Sequence, residues 1–172
     1  FCRSENAYYP DVERCPEATF FHRIEWRELI EDVFRHRTHY LVAERVGRLV
    51  GVLPLVRVRS LLFGDALVSM PFAVYGGAAV DDELARRALH RSAQKLARDL
   101  GVGHLELRNR TATEPDWPRQ DLYVAFRREL LPEVEANLLA IPRKQRAMVR
   151  KAIDRGLISE IDQRVDRFFD LY

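Results

Sequence analysis

"HYLVAERVGRLVGVLPLVRVRS", residues 39–60, decides the fold. Tyr40 to Val46 and Leu49 to Arg59 are rich in valine and leucine, with Gly47-Arg48 between them. Two short runs of branched apolar residues around a glycine turn read as a β-hairpin. Val56-Arg57-Val58-Arg59 alternates apolar and cationic side chains, so valines line one face of the second strand and arginines the other. Pro54 has no amide hydrogen to give a ladder, which points to a bulge or an edge there.

Working outward, Ile24, Trp26, Leu29, Ile30, Val33 and Phe34 recur at helical spacing within 20–34, an amphipathic first helix. Residues 1–19 are polar, with Pro10 and Pro16, and read as an irregular leader. Downstream, "ALVSMPFAVYGGAAV" (66–80) is apolar enough for a central strand, interrupted at Pro71 and ended by Gly76-Gly77. Asp81 is the expected N-cap of a long helix to about Leu100. Leu84, Ala88, Leu89, Ala93, Leu96 and Ala97 are on its inner side, and Gly101 stops it. "HLELRN" (104–109) follows as a short strand, then a loop through Trp117-Pro118, then the strand "LYVAFRREL" (122–130). Pro132 and Pro142 each start a helix, the second ended by Gly156. Three sequential strands, a crossover helix and a strand able to lie parallel give an α/β (α+β) fold, a mixed sheet with an antiparallel meander flanked by helices.

Composition sets outer limits. The 172 residues are 47% hydrophobic and 31% charged, enough apolar material for one ordinary domain with a core. No run approaches the roughly 20 apolar residues of a membrane-crossing helix. A net charge of +2 means that any polyanion binding must come from local clustering. Cys2 and Cys15 lie near the start, where a disulfide would staple only the leader, and reduced thiols in a cytoplasmic protein are expected. Their spacing supplies no zinc-ligand set. Phe1 is not an initiator methionine, and "VDRFFDLY" (165–172) begins an amphipathic helix with Val165, Phe168, Phe169 and Tyr172. The chain is therefore expected to be part of a longer protein.

"IPRKQRAMVRKAIDRGL" (141–157) carries Arg143, Lys144, Arg146, Arg150, Lys151 and Arg155 against the single acid Asp154. On a helical wheel Ile141, Met148, Val149, Ala152 and Ile153 share one side, which is expected to pack, while the cations take most of the rest. A solvated face normally mixes signs in i, i+4 pairs, and this one hardly does. It reads as either a phosphate- or polyanion-binding surface or a solvated helix. Arginine forks and lysine point charges both suit phosphate oxygens. "FAVYGGAAVDDE" (72–83) places two glycines before a helix, where backbone amides could meet an anion. Asp81, Asp82 and Glu83 would repel one, so a plain turn is the simpler reading, with Tyr75 and Gly76 as possible cleft residues.

His104, Glu106 and Arg108 share one strand face, as either a substrate cleft or an internal Glu106–Arg108 ion pair. His22 and Trp26, one turn apart, read as a cap or surface residue and a core residue. No G-x-S-x-G, H-E-x-x-H or Cys–His arrangement is present, so no catalytic residue is named.

"IPRKQRAMVRKAIDRGL" resembles the R-x-x-[IV]-R-K-A segment with a following glycine of the FemAB-type aminoacyl and acyl transferases, in the GNAT superfamily. "FHRIEWRELI", "YLVAERVGRLVGVLPLVRVRSLLFGDALVSMPFAVYGG" and "HLELRN" resemble the FemAB-like branch associated with bacterial exosortase and exopolysaccharide systems. The resemblance runs from about Phe20 to Leu157. It implies a first GNAT-like half over 20–140 after the leader, then the basic helix and the start of a second half over 141–172. It implies acyl or aminoacyl transfer to an amine of a phosphate-bearing, carrier-linked precursor of the cell envelope or an exopolysaccharide. The donor would be aminoacyl-tRNA or an acyl-CoA, with no tightly bound cofactor, and the missing C-terminal half would be a partner. Arg143, Lys144, Arg146, Arg150 and Lys151 would hold the precursor phosphates, in the cytoplasm and at the inner membrane surface. The Q/R-x-x-G-x-G/A loop of acetyl-CoA users is absent from "VYGGAAVDDE". The alternative is a non-catalytic polyanion- or RNA-binding module.

Overall fold

A computed structural model of the chain describes residues 2–4, 15–60, 62, 64–120 and 124–172. Its strands are β1 (Cys2–Ser4), β2 (Arg37–Arg45), β3 (Arg48–Ser60), β4 (Gly64–Val68), β5 (Ala79–Val80) and β6 (His104–Glu106). Its helices are α1 (Ile24–Asp32), α2 (Glu83–Leu100), α3 (Val134–Ala140), α4 (Arg143–Asp154) and α5 (Asp166–Leu171). The sheet runs β1-β2-β3-β4-β6, with β5 also on β3; every pair is antiparallel except β4–β6, which is parallel. This is the mixed α/β sheet with an antiparallel meander that the sequence predicts.

The hairpin forms because its two-residue loop fits the strand twist. Val46 and Gly47 both take positive φ, 51° and 74°, the conformation of a type I′ turn. The register slips once, where Val50 is the extra residue between the Ala43–Gly51 and Glu44–Leu49 pairs. Pro54 marks neither a bulge nor a sheet edge. It pairs with Tyr40 on one side, while on the other side the pairing with β5 ends at Val52 and the pairing with β4 begins at Val56. The missing amide hydrogen falls in the gap between those two neighbours, where it forfeits no ladder bond.

Alternation then sorts β3 into two cores. Val52 and Val56 join Val42, Ala79, Ile30 and Met70 on the α1 face, with Trp26 packed beside them. Leu53 and Leu55 join Leu41, Leu67, Ala85, Leu89 and Ala93 on the α2 face. Arg57 points to the α2 face, where it meets Asp65 at 2.5 Å and donates to the Leu100 carbonyl, 3.2 Å away, at the end of α2. A cation there complements the negative end of the helix dipole.

Other expectations need correction. A strand occupies Cys2–Ser4 within the leader. Cys15 is a buried free thiol whose S–H donates to the Val80 carbonyl. The first helix is a 3₁₀ turn, Phe20–His22, followed by α1; Leu29, Val33 and Phe34 stay exposed, and Phe34 stacks on Phe72 at 4.1 Å. The run 66–80 is not one strand. β4 stops at Val68, and Met70 and Phe72 turn left-handed around Pro71, so only Ala79–Val80 returns to the sheet. Asp82, not Asp81, caps α2, accepting from the Ala85 amide at 2.9 Å. Arg48 takes Asp81 at 3.3 Å, while Arg45 makes two bonds to Asp82, at 2.7 and 3.1 Å. Those bonds, and then the amide, hold the Asp82 carboxyl down to about 2. On α2, Leu89 and Ala93 are buried as expected, but Leu84 is exposed and Ala85, Arg86 and His90 turn inward. Residues 124–131 form no strand and Val124, Phe126 and Leu130 are exposed, for no ladder partner flanks them among the described residues; Leu122 and Tyr123 lie outside those residues.

The contacts group into two compact units, Phe1–Trp117 and Pro118–Tyr172. The sequence-based boundary at 140/141 marks the expected start of a second half. Among the described residues no helix is long and apolar enough to cross a membrane.

His22 is a cap, as one of its two readings has it, and not a surface residue: it completes a capping box with Thr19 on the 3₁₀ turn and is also a buried tie. Its Nδ1 accepts from the Thr19 amide at 3.0 Å, which leaves Nε2–H to donate to the Gly77 carbonyl at 2.8 Å. Burial pushes its pKa below the usual 6.5, with partial opposition from the bonds to Gly77 and Thr19 and from Glu17. Burial, then Arg37 and Arg57, lowers His39 as well. An imidazole with a depressed folded pKa binds fewer protons folded than unfolded. The stability it contributes is complete above about 6.5 and is lost as pH falls towards the folded value. Denaturant midpoints should therefore fall between about pH 7 and pH 5, with a shallower fall in His22→Gln. An equally steep fall in the variant would remove His22 as a source. Leu55, fully buried on the α2 face, should cost about 2–5 kcal/mol as Leu55→Ala in urea unfolding.

Candidate functional site

The basic segment folds as expected into a helix, α4, preceded by Pro142 and closed by Gly156 with φ 73°. Its cations are poorly neutralised. Arg150 reaches Glu135 at 3.5 Å with both side chains more than half exposed, and Arg146 donates to the Leu139 carbonyl at 2.9 Å. Arg143, Lys144, Lys151 and Arg155 have no carboxylate partner among the described residues. Arg143 and Lys144 also lie in the first turn, where no acid offsets the positive end of the dipole.

The apolar side of α4 does not pack as expected. No residue of the helix is buried, and Met148 and Ile153 are 66% and 58% exposed. The neighbouring α3 is seven residues long and leaves its own Val134 and Leu139 exposed, so it is too short to cover that side.

A separate feature belongs to the first unit. A cleft of about 230 Å³ is lined by Glu17, His22, Tyr75, Gly77, Arg86, Asn109, Arg110 and their neighbours. It lies past the carboxyl end of β6, where open α/β sheets place ligands. Arg86 is held on three sides: Nη2 donates to both Glu17 oxygens at 2.6 and 2.8 Å, Nε to Glu83 at 3.1 Å and Nη1 to the Ala78 carbonyl. Arg110 lies over the Tyr75 ring at 6.0 Å and donates to the Pro16 carbonyl, with no carboxylate partner among the described residues. Asn109 packs so tightly on Gly77 that a Cβ there would stand 2.1 Å from its Oδ1.

Tyr75 lines this cleft, whereas Gly76, Glu106 and Arg108 are not among its lining residues. The amides of Gly76 and Gly77 both donate to the Arg108 carbonyl, at 3.0 and 3.2 Å, so neither is offered to an anion. Glu106 and Arg108 form the ion pair, Nε to Oε1 at 2.7 Å, and Arg108 also donates to the Ala73 carbonyl. Their role is to fix the 73–77 segment against β6. Ser69 N–H donates to the Glu106 carbonyl at 2.9 Å and Arg108 N–H to Ser69 Oγ at 2.7 Å, extending the β4–β6 pairing beyond its last strand residues. Glu17, Arg86 and Arg110 belong to no sequence motif. The place of Arg110, just past a parallel strand's carboxyl end, was the available signal; the Glu17–Arg86 contact spans 69 residues and had none. His90, buried on α2, meets Glu114 at 2.5 Å, and its Nε2 is enclosed without a partner. Among the described residues no group of His, Cys, Asp and Glu is arranged to hold a metal ion.

No protein-family model matches this chain, and no curated protein matches it in sequence. Among solved structures, a GNAT family acetyltransferase from Staphylococcus aureus is similar over 76% of this chain and 98% of that one, at 9% identity and a TM-score of 0.45. A probable acetyltransferase is similar over 76% and 99%, at 14% identity and 0.42. A transcriptional regulator from Bacillus halodurans is similar over 76% and 100%, at 10% identity and 0.43.

Proposed function

We propose that this chain is the substrate-binding part of an N-acyltransferase. It transfers an aminoacyl or acyl group to an amine of a carrier-linked cell-envelope or exopolysaccharide precursor, and α4 holds the precursor's phosphates. The carrying observation is the set of exposed α4 cations without carboxylate partners, Arg143, Lys144, Lys151 and Arg155, beside the weakly paired Arg150. Arginine and lysine supply charge-assisted bonds to phosphate oxygens, and a positive surface without internal anions keeps those donors available. The motif resemblance around Arg146, Arg150 and Lys151 supports the same reading.

Acyl transfer needs a neutral amine held close to a carbonyl and donors for the oxyanion that develops. Phosphate anchoring contributes the first of these, by restricting where the acceptor can lie. The donor, aminoacyl-tRNA or acyl-CoA, is assigned to the remainder of the protein. The strand-to-helix turn of this unit does not suit a CoA diphosphate, since Arg108 takes the Gly76 and Gly77 amides and Asp82 fills the start of α2. A purely nucleic-acid-binding role is less well served. Phe20, Phe21 and Trp26 engage one another edge to face at 4.9 to 6.0 Å, leaving no open stacking platform in that cluster.

In the complete protein, Arg150→Ala with Lys151→Ala should raise the KM for a phosphate-bearing acceptor by about tenfold or more, given what charge-assisted bonds contribute. Both side chains are exposed, so circular dichroism and the unfolding midpoint should stay as in the parent. An unchanged KM in a folded double variant would sink the assignment.

A further inference from the structure

We propose that α4 docks this protein flat on an anionic lipid surface. Three observations meet on this one helix. Its apolar arc, Met148, Val149, Ala152 and Ile153, is largely uncovered, with Met148 and Ile153 more than half exposed. The cations border that arc on both edges at helical spacing: Arg146 and Arg150 along one, Lys144, Lys151 and Arg155 along the other. The lone acid, Asp154, falls beside Ala147 on the side opposite the arc, and Gln145 is the polar residue within the arc.

A helix that binds a soluble polyanion needs its charges on one outward face and gains nothing from an exposed apolar face. A helix lying in a bilayer interface needs the order seen here. Its apolar side chains enter the acyl boundary, and long cationic side chains on both flanks reach up to headgroup phosphates. The acid is kept on the water side, away from anionic lipid. The cations lack carboxylate partners of their own, so docking breaks no internal pair beyond the long Arg150–Glu135 contact. The proposal shares the cations with the functional reading above, but the apolar arc carries it independently.

The test is co-sedimentation of the protein with vesicles of phosphatidylcholine alone and with added phosphatidylglycerol. Binding is expected to the anionic vesicles, at least about tenfold stronger than to neutral ones, and weakened by raising salt from about 0.1 to 0.5 M. The decisive variant is Met148→Ser with Ile153→Ser, which alters exposed side chains and leaves the fold intact by circular dichroism. It should lose vesicle binding by about tenfold while the KM for a water-soluble phosphate-bearing acceptor is retained. Absence of vesicle binding would overturn the proposal, as would binding indifferent to the two serines. Salt-sensitive binding to RNA without vesicle binding would also overturn it and leave α4 a polyanion helix. Arg150→Ala with Lys151→Ala reads the acceptor separately, so either assignment can fail while the other stands.

Discussion

The first unit depends on β3 being buried on both faces. Val52 and Val56 point one way, Leu53 and Leu55 the other, and all four are fully enclosed. Enclosing a side chain of this size is worth about 1.5–3 kcal/mol, so neither face can be left to water. One face demands α1 and the other α2. β3 also supplies the ladder for β2, β4 and β5, so the layers and the strand order follow from one 13-residue strand. Arginines from the hairpin then fix α2 lengthwise, Arg45 at its cap and Arg57 at its last carbonyl.

The two units treat charge differently. In the first, Arg45, Arg57, Arg86 and Arg108 each meet a carboxylate at 2.5–2.7 Å, and those pairs fasten helix ends and loops. In the second, α4 leaves most of its cations facing solvent. Repulsion along a helix costs little when water screens it, but it offers no stabilisation either. Paired arginines organise the sheet unit, whereas those of α4 are disposed to meet anions from outside the chain.

Much of this was legible in the sequence wherever a single period governed the outcome. The alternation from Tyr40 to Arg59 fixed the hairpin, and Gly101 and Gly156 marked helix ends. The misses came where two residues qualified equally or a partner was remote. Asp81, the expected cap, stands next to another aspartate, and what separates the two comes from the hairpin: Arg45, 37 residues earlier, bonds Asp82, and Arg48 bonds Asp81. In the run 66–80 Pro71 marks the interruption, but the end of β4 already at Val68 depends on the left-handed Met70 and Phe72 on either side of that proline. Residues 124–130 have strand-like composition but no described neighbour to bond. The α4 spacing shows an amphipathic helix but not that its apolar side lies open, because spacing does not say what stands opposite. The cleft was hardest to see, since Glu17, Arg86 and Arg110 come from three distant segments.

The strand order has a consequence for how the molecule resists its own kind. Among the described residues, the outermost strands of the sheet are β1 and β6, each three residues long. A short rim presents few free amides and carbonyls to a passing chain, while the long apolar strands sit inside. The valine- and leucine-rich segment 49–58 lies within β3, paired with β2 on one side and with β4 and β5 on the other, and so offers little free edge to another copy. What silences the edges of β3 is pairing on both sides, not its composition.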